Sequence, residues 1–133
     1  MTPIDTVKIF YDAIARGDIP SFIAILHPQL EWTEAEGFPY YGGTWRTPQA
    51  VLENLLIPIG RDWDGFSVLP HDFIADGNRV VTLGIYSGTA KATGKSMRAP
   101  FAHVWGVREA KLARFDMYTD TALVNAALYQ TKA

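Results

Sequence analysis

One change of hydrophobic period constrains this chain more than any other feature. Up to about residue 60 the apolar residues recur at helical spacing. From Phe66 onward they fall into β-rich runs, Phe66–Ala75, Arg79–Ala90, Met97–Val107 and Leu112–Thr119. The connectors are Asp76-Gly77-Asn78, Thr93-Gly94-Lys95 and Arg108–Lys111, all short enough for hairpins. Helices followed by such a meander imply an α+β fold, with the helices on one face of an antiparallel sheet. A curved sheet covered in this way leaves a hollow between the layers. A chain of 133 residues has room for one core, so one domain is expected over residues 1–133, without repeats or linker.

The helical part carries its own punctuation. Thr2 is placed to cap a first helix, with Pro3 in its first turn, Asp5 as the capping-box acid and Arg16-Gly17 at its end. Asp18 caps a second helix, which His27-Pro28 stops. Leu30 to Glu34 reads as a short strand leading into the loop Gly37-Phe38-Pro39-Tyr40-Tyr41-Gly42-Gly43. Thr47-Pro48 opens a third helix that ends near Pro58-Ile59-Gly60, and Asp120 caps a last helical turn through Leu123, Ala127 and Leu128. Pro70 and Pro100 cannot donate to a ladder, so each marks a bulge or an edge.

Several classes of function are excluded or disfavoured. A net charge of −2 with scattered basic residues offers no phosphate-tracking face, which argues against nucleic acid. The absence of Cys rules out disulfides, thiol catalysis and Cys-based zinc sites. His27, His71 and His103 are far apart without i, i+4 pairing, so no metal site is expected. There is no G-x-G-x-x-G, Walker or G-x-S-x-G pattern. No apolar run reaches membrane-spanning length and the first residues lack a signal-peptide pattern, so a cytoplasmic protein is the expectation. Any catalysis must then come from carboxylates, His and Tyr in an apolar pocket. The 13% aromatic content suits the wall of such a pocket.

The order of several short segments carries a resemblance. They are Phe10-Tyr11-Asp12-Ala13 with Arg16-Gly17-Asp18, Leu26-His27-Pro28 with Leu30-Glu31-Trp32, Ala75-Asp76-Gly77-Asn78-Arg79-Val80-Val81, Ala102-His103-Val104-Trp105-Gly106-Val107-Arg108, and Tyr118-Thr119-Asp120. Together they resemble the SnoaL-like proteins of the nuclear transport factor two superfamily, which includes ketosteroid isomerases and limonene epoxide hydrolases. The resemblance implies a cone-shaped fold with a deep pocket, a small-molecule ligand, no cofactor, and a homodimer through the outer sheet face. It leaves open whether the protein is an enzyme, because the superfamily holds isomerases, cyclases, hydrolases and pure binding domains.

The resemblance also points to individual residues. Glu34 stands where ketosteroid isomerases keep the aspartate that moves the proton, and a desolvated carboxylate there would suit a general base. Glu36, two residues on, is its rival. His103 stands where those enzymes hold a protonated aspartate, from which an imidazole could donate to a carbonyl or enolate oxygen. Trp32, Tyr86, Phe101, Trp105, Phe115, Met117 and Tyr11 are expected to line the pocket, with Gly84 and Gly88 leaving room for the ligand. Strand alternation puts Phe115 and Met117 inward and Asp116 and Tyr118 outward. Asp116, Asp120 and His71 are reserve site residues.

The departures from the family pattern are specific. The ketosteroid isomerase tyrosine register falls on Phe10, with Tyr11 turned about 100° away on the helix. The inward acid of the limonene epoxide hydrolases corresponds to Met117, and their Arg-x-Asp pair is missing. Two functional readings follow. One is an acid–base isomerase, cyclase or hydrolase acting on a small apolar carbonyl or polyketide-like compound. The other is a non-catalytic ligand-binding or dimeric interaction domain.

Overall fold

The computed structural model describes residues 1–129. The elements run α1 (Pro3–Arg16), α2 (Ile19–Ile25), β1 (Leu26–Thr33), β2 (Thr44–Trp45), α3 (Pro48–Val51), a π-helical turn (Leu52–Leu56), α4 (Ile57–Asp62), β3 (Trp63–Asp76), β4 (Arg79–Ala90), β5 (Ser96–Arg108), β6 (Lys111–Thr119) and α5 (Thr121–Leu128).

Local chemistry sets the helix ends. The Thr2 side chain accepts from the Asp5 backbone N–H while the Asp5 carboxylate accepts from the Thr2 backbone N–H, a complete capping box for α1. Gly17 closes that helix in the left-handed region at φ 65°, where a Cβ would be strained. Asp18 and Asp120 cap α2 and α5 through the backbone N–H groups of Ser21 and Leu123. The stretch from α3 to α4 runs as one helix from Pro48 and ends at Asp62, two residues past Gly60, with a widened π turn in its middle. Pro58 accounts for the widening. Its ring would clash with the carbonyl of Asn54, four residues back, and the π turn contains Asn54.

The six strands form a single curved, unclosed sheet in the order β2-β1-β6-β5-β4-β3. From β3 to β6 it is the expected meander. β1 differs from the expectation in two ways. It begins at Leu26 rather than Leu30, and it lies parallel to β6 with Trp32 opposite Phe115, so the sheet is mixed. His27 is therefore more than a helix stop. Its ring is buried between the strand and the β5–β6 turn, where Nε2 lies 2.9 Å from Glu109 Oε1. Pro70 sits at a register shift on β3, an edge strand, and His71 is the extra, exposed residue there.

The core lies between α1 and the inner sheet face. Alternation along β4 buries Val80, Thr82 and Tyr86, and along β5 it buries Phe101, His103 and Trp105. On β6, Phe115 and Met117 are inward as expected. Tyr118 is 58% exposed, and Asp116 accepts a 2.9 Å hydrogen bond from Arg114 Nε on the outer side.

Candidate functional site

A cavity of ≈ 400 Å³ separates the helices from the sheet. α1 contributes Phe10, Ala13, Ile14 and Gly17, which share one helix face by their i, i+3, i+4, i+7 spacing. The π turn adds Leu55 and Leu56, and β3 adds Trp63, Phe66 and Val68. The wall is overwhelmingly apolar. Its polar groups on the sheet side are Glu34, Tyr86 and His103.

Glu34 follows β1 directly and continues its alternation, so Trp32 and Glu34 point to the same side. Trp32 Nε1 donates to Glu34 Oε2 at 2.9 Å. Glu34 is 4% exposed, whereas its rival Glu36 is exposed to solvent. Burial disfavours the charged form and pushes the Glu34 pKa up to about 8, and the Trp32 hydrogen bond opposes part of that rise.

His103 is held differently. Its Nδ1 lies 2.6 Å from Tyr11 Oη and its Nε2 lies 2.6 Å from Tyr86 Oη. The ring stacks on Phe101 with centroids 4.0 Å apart and planes 14° apart. Burial keeps its pKa well below the ordinary histidine range, so the ring is neutral and carries one N–H. Burial raises the pKa of both tyrosines, which therefore stay protonated. Behind Tyr11, the Trp105 indole Nε1 lies 3.2 Å from Tyr11 Oη and 3.2 Å from Thr82 Oγ1. With both nitrogens engaged, His103 has no free nitrogen for a ligand. Of the two tyrosines, Tyr86 borders the cavity and Tyr11 does not.

Of the residues singled out from sequence, Glu34, His103, Trp32, Tyr86 and Phe115 border the cavity. Phe101, Trp105, Met117 and Tyr11 do not, because other side chains stand in front of them. The Phe101 ring rides over Gly84, and a Cβ there would also strike the Leu69 carbonyl. Gly84 thus makes room for Phe101 rather than for a ligand. At Gly88 a Cβ would meet the Phe66 backbone at 3.2 Å, so that glycine accommodates the neighbouring strand. Trp105 is fully buried against Phe10 and Phe115, at centroid distances of 4.9 and 4.5 Å. Met117 pairs across the sheet with His103 and is 1% exposed. Of the reserve residues, Asp120 is a helix cap, Asp116 is ion-paired on the outer face and His71 is exposed on β3.

Sequence reasoning missed five cavity-lining rings, Phe10, Phe22, Phe38, Trp63 and Phe66. The first two had a usable signal, their place on apolar helix faces. Phe38 had none, since it reaches the cavity from an irregular loop. That loop is fastened by Asn125 Nδ2 donating to the Gly37 carbonyl at 2.9 Å and by Tyr40 donating to Asp62 at 2.9 Å. Among the described residues no three His, Asp or Glu side chains converge on a metal position, and no helix is long and apolar enough to cross a membrane.

Helices laid over a curved, unclosed sheet are the architecture of the NTF2-like proteins, and the known structures agree. An NTF2-like protein from Burkholderia thailandensis is 37% identical, covers 98% of this chain and 99% of its own, and superposes with a TM-score of 0.93. One of unknown function from Burkholderia pseudomallei is 30% identical over 98% of this chain and 100% of its own, with a TM-score of 0.88. TerC, co-crystallised with polyporic acid, is 26% identical over 96% of this chain and 98% of its own, with a TM-score of 0.85. The SnoaL-like domain family matches residues 7–115, and the chain belongs to that family, as the resemblance in its sequence implied. No curated protein matches the chain significantly.

Proposed function

We propose that the cavity binds a small apolar carbonyl compound and that Glu34 and Tyr86 carry out acid–base chemistry on it, with no cofactor. The observation that carries this reading is the pair of polar groups on the sheet side of a largely apolar ≈ 400 Å³ cavity, one a buried carboxyl and the other a phenol backed by a neutral histidine; Asp18, the α2 cap, borders the same cavity from the helix side. In its ionised form Glu34 would take a proton from the carbon next to the ligand carbonyl. The C–H electron pair would move onto the carbonyl oxygen, and the Tyr86 hydroxyl would stabilise the resulting enolate. Return of the proton from Glu34 to the same or a conjugated carbon gives exchange or isomerisation, with atoms and charge balanced. His103, the donor expected from sequence, acts here through Tyr86. The relative co-crystallised with polyporic acid supports a small organic ligand for this fold.

The experiment is deuterium incorporation into 2-tetralone and related cyclic ketones in heavy water. Wild-type protein is expected to speed exchange at the carbon beside the carbonyl, and Glu34→Gln to slow it by roughly 10²-fold or more. Ketones that bind without any acceleration would sink the catalytic reading and favour its rival, a binding domain without turnover. That rival has one observation behind it. With a pKa of about 8, Glu34 is ionised in only about a tenth of molecules at pH 7.

The reading includes a homodimer through the outer sheet face. Its support is an apolar surface in which Leu69 (62% exposed) stands opposite Ile85 and Ile74 (53% exposed) stands opposite Val81, a patch able to meet its own copy about a two-fold axis. Light scattering on wild type and on Ile74→Lys tests it, and a monomeric wild type at micromolar concentration would count against it.

A further inference from the structure

Tyr11 does not touch the cavity, yet its hydroxyl is 2.6 Å from His103 at the end of a buried row that reaches the cavity at Tyr86. Counting protons along that row leaves two directions, one for each His103 tautomer, and the Trp105 indole, whose one N–H is shared between Tyr11 Oη and Thr82 Oγ1, favours the one in which Tyr11 accepts from it and donates to His103. The Trp105 indole can only donate, and it lies 3.2 Å from Tyr11 Oη, so Tyr11 accepts there. The Tyr11 proton then finds the bare Nδ1 of His103 as a close acceptor. A neutral imidazole with Nδ1 bare carries its proton on Nε2, which donates to Tyr86 Oη. The Tyr86 proton is left over and can turn only toward the cavity. In the opposite direction Tyr11 Oη would receive the His103 N–H and share the Trp105 N–H, its own proton would go to Thr82 Oγ1, with which it also hydrogen-bonds, and Tyr86 would donate to His103 and face the cavity as an acceptor alone.

We infer that Tyr11 is a positioning residue: acting through His103, it makes the Tyr86 hydroxyl a hydrogen-bond donor into the cavity, and so selects ligands that present an acceptor oxygen, such as a ketone or quinone carbonyl. This rests on the reading of Tyr86 as the polar contact for the ligand. Trp105 holds the far end of the row in the same sense. Tyr11, Thr82 and Trp105 are all buried at that end, so the direction of the row is set by the fold.

The test uses 2-tetralone and tetralin, which share a bicyclic frame and differ in one carbonyl oxygen, with the whole chain as wild type, Tyr11→Phe and Tyr86→Phe. Trp32 and Trp63 border the cavity, so quenching of indole fluorescence reads binding. Both variants are expected to weaken 2-tetralone binding about fivefold to tenfold while changing tetralin by less than about twofold. If Tyr86→Phe weakens 2-tetralone and Tyr11→Phe does not, the positioning role is overturned and the site reading stands. If neither variant discriminates the two compounds, the site reading falls and the inference with it. Equal weakening of both compounds by Tyr11→Phe would reduce Tyr11 to packing and overturn the inference. The tautomer needs no ligand at all. Nitrogen-15 chemical shifts of His103 in the wild-type protein are expected to show Nε2 protonated and Nδ1 bare, and the reverse assignment overturns the inference whatever the variants do.

Discussion

Glu34 and His103 border the same cavity, both are nearly inaccessible to solvent, and both are uncharged at neutral pH, but they arrive there in opposite ways. His103 has a partner on each nitrogen, so its environment is complete without a ligand. Glu34 has one donor, the Trp32 indole, and spare acceptor capacity facing the cavity. The difference teaches which group is free to do chemistry. A histidine satisfied on both sides serves as structure and relay, while a half-satisfied carboxyl is the group that a ligand can change.

The comparison has a thermodynamic form, and the largest expected effect lies there. Glu34 has its pKa raised from 4.5 to about 8 on folding, so between those values the native state binds the extra proton and stability falls as pH rises. His103 has its pKa lowered from 6.5, so below that value the unfolded state binds the extra proton and stability falls as pH falls. Between about pH 4.5 and 6.5 the two slopes oppose each other, which predicts a plateau flanked by losses on both sides. The Glu34 contribution has an upper bound of about 5 kcal/mol between pH 4.5 and 8, about 2 kcal/mol of it on the alkaline limb above pH 6.5, and water entering the cavity would reduce both. Denaturant midpoints measured from pH 4 to 9 check this. Glu34→Gln should abolish the decline above pH 6.5 and extend the acid limb upward through the former plateau to about pH 6.5, and an unchanged alkaline limb would show that Glu34 is not desolvated.

His103→Ala should act on the other limb and at every pH. It empties the space over Phe101 and takes a partner from both Tyr11 and Tyr86, and a loss of about 3–4 kcal/mol is expected at pH 7. Equilibrium unfolding measures it. If His103→Ala proved as mild as an exposed substitution, the contrast between a satisfied histidine and a half-satisfied carboxyl would collapse.

The parts of this arrangement that could be read from sequence are the local ones. The caps at Thr2, Asp18 and Asp120 and the stop at Gly17 depend on residues within three or four positions, and those residue types have few other uses. Inward facing along β5 and β6 followed from alternation alone. What alternation does not carry is depth. Phe101 and Trp105 face inward as His103 does, but whether an inward ring meets a cavity or another ring is decided by what stands in front of it. Phe101 is occupied by Gly84 across the sheet, a pairing set by register rather than by local pattern. The parallel β1–β6 contact was equally hidden, because about 80 residues separate its partners and no connector signals it. The Tyr11–His103 hydrogen bond joins residues 92 positions apart and needs the whole fold before it exists.

The smallest expected effect sharpens the comparison at its most delicate point. Trp32→Phe removes the one N–H that opposes the desolvation of Glu34, while the remaining ring keeps most of the stacking against Phe115, now at a centroid distance of 3.9 Å. Because that hydrogen bond favours the ionised form, its loss should raise the Glu34 pKa further. A hydrogen bond to a carboxylate worth about 1 kcal/mol corresponds to somewhat less than one unit. The alkaline limb of the stability profile, and the pH dependence of ketone exchange if the protein catalyses it, should both move to higher pH by that amount. His103 lacks any such handle, since neither of its partners is charged. A Trp32→Phe profile that superimposes on wild type would mean that water or a ligand, rather than the indole, sets the state of Glu34.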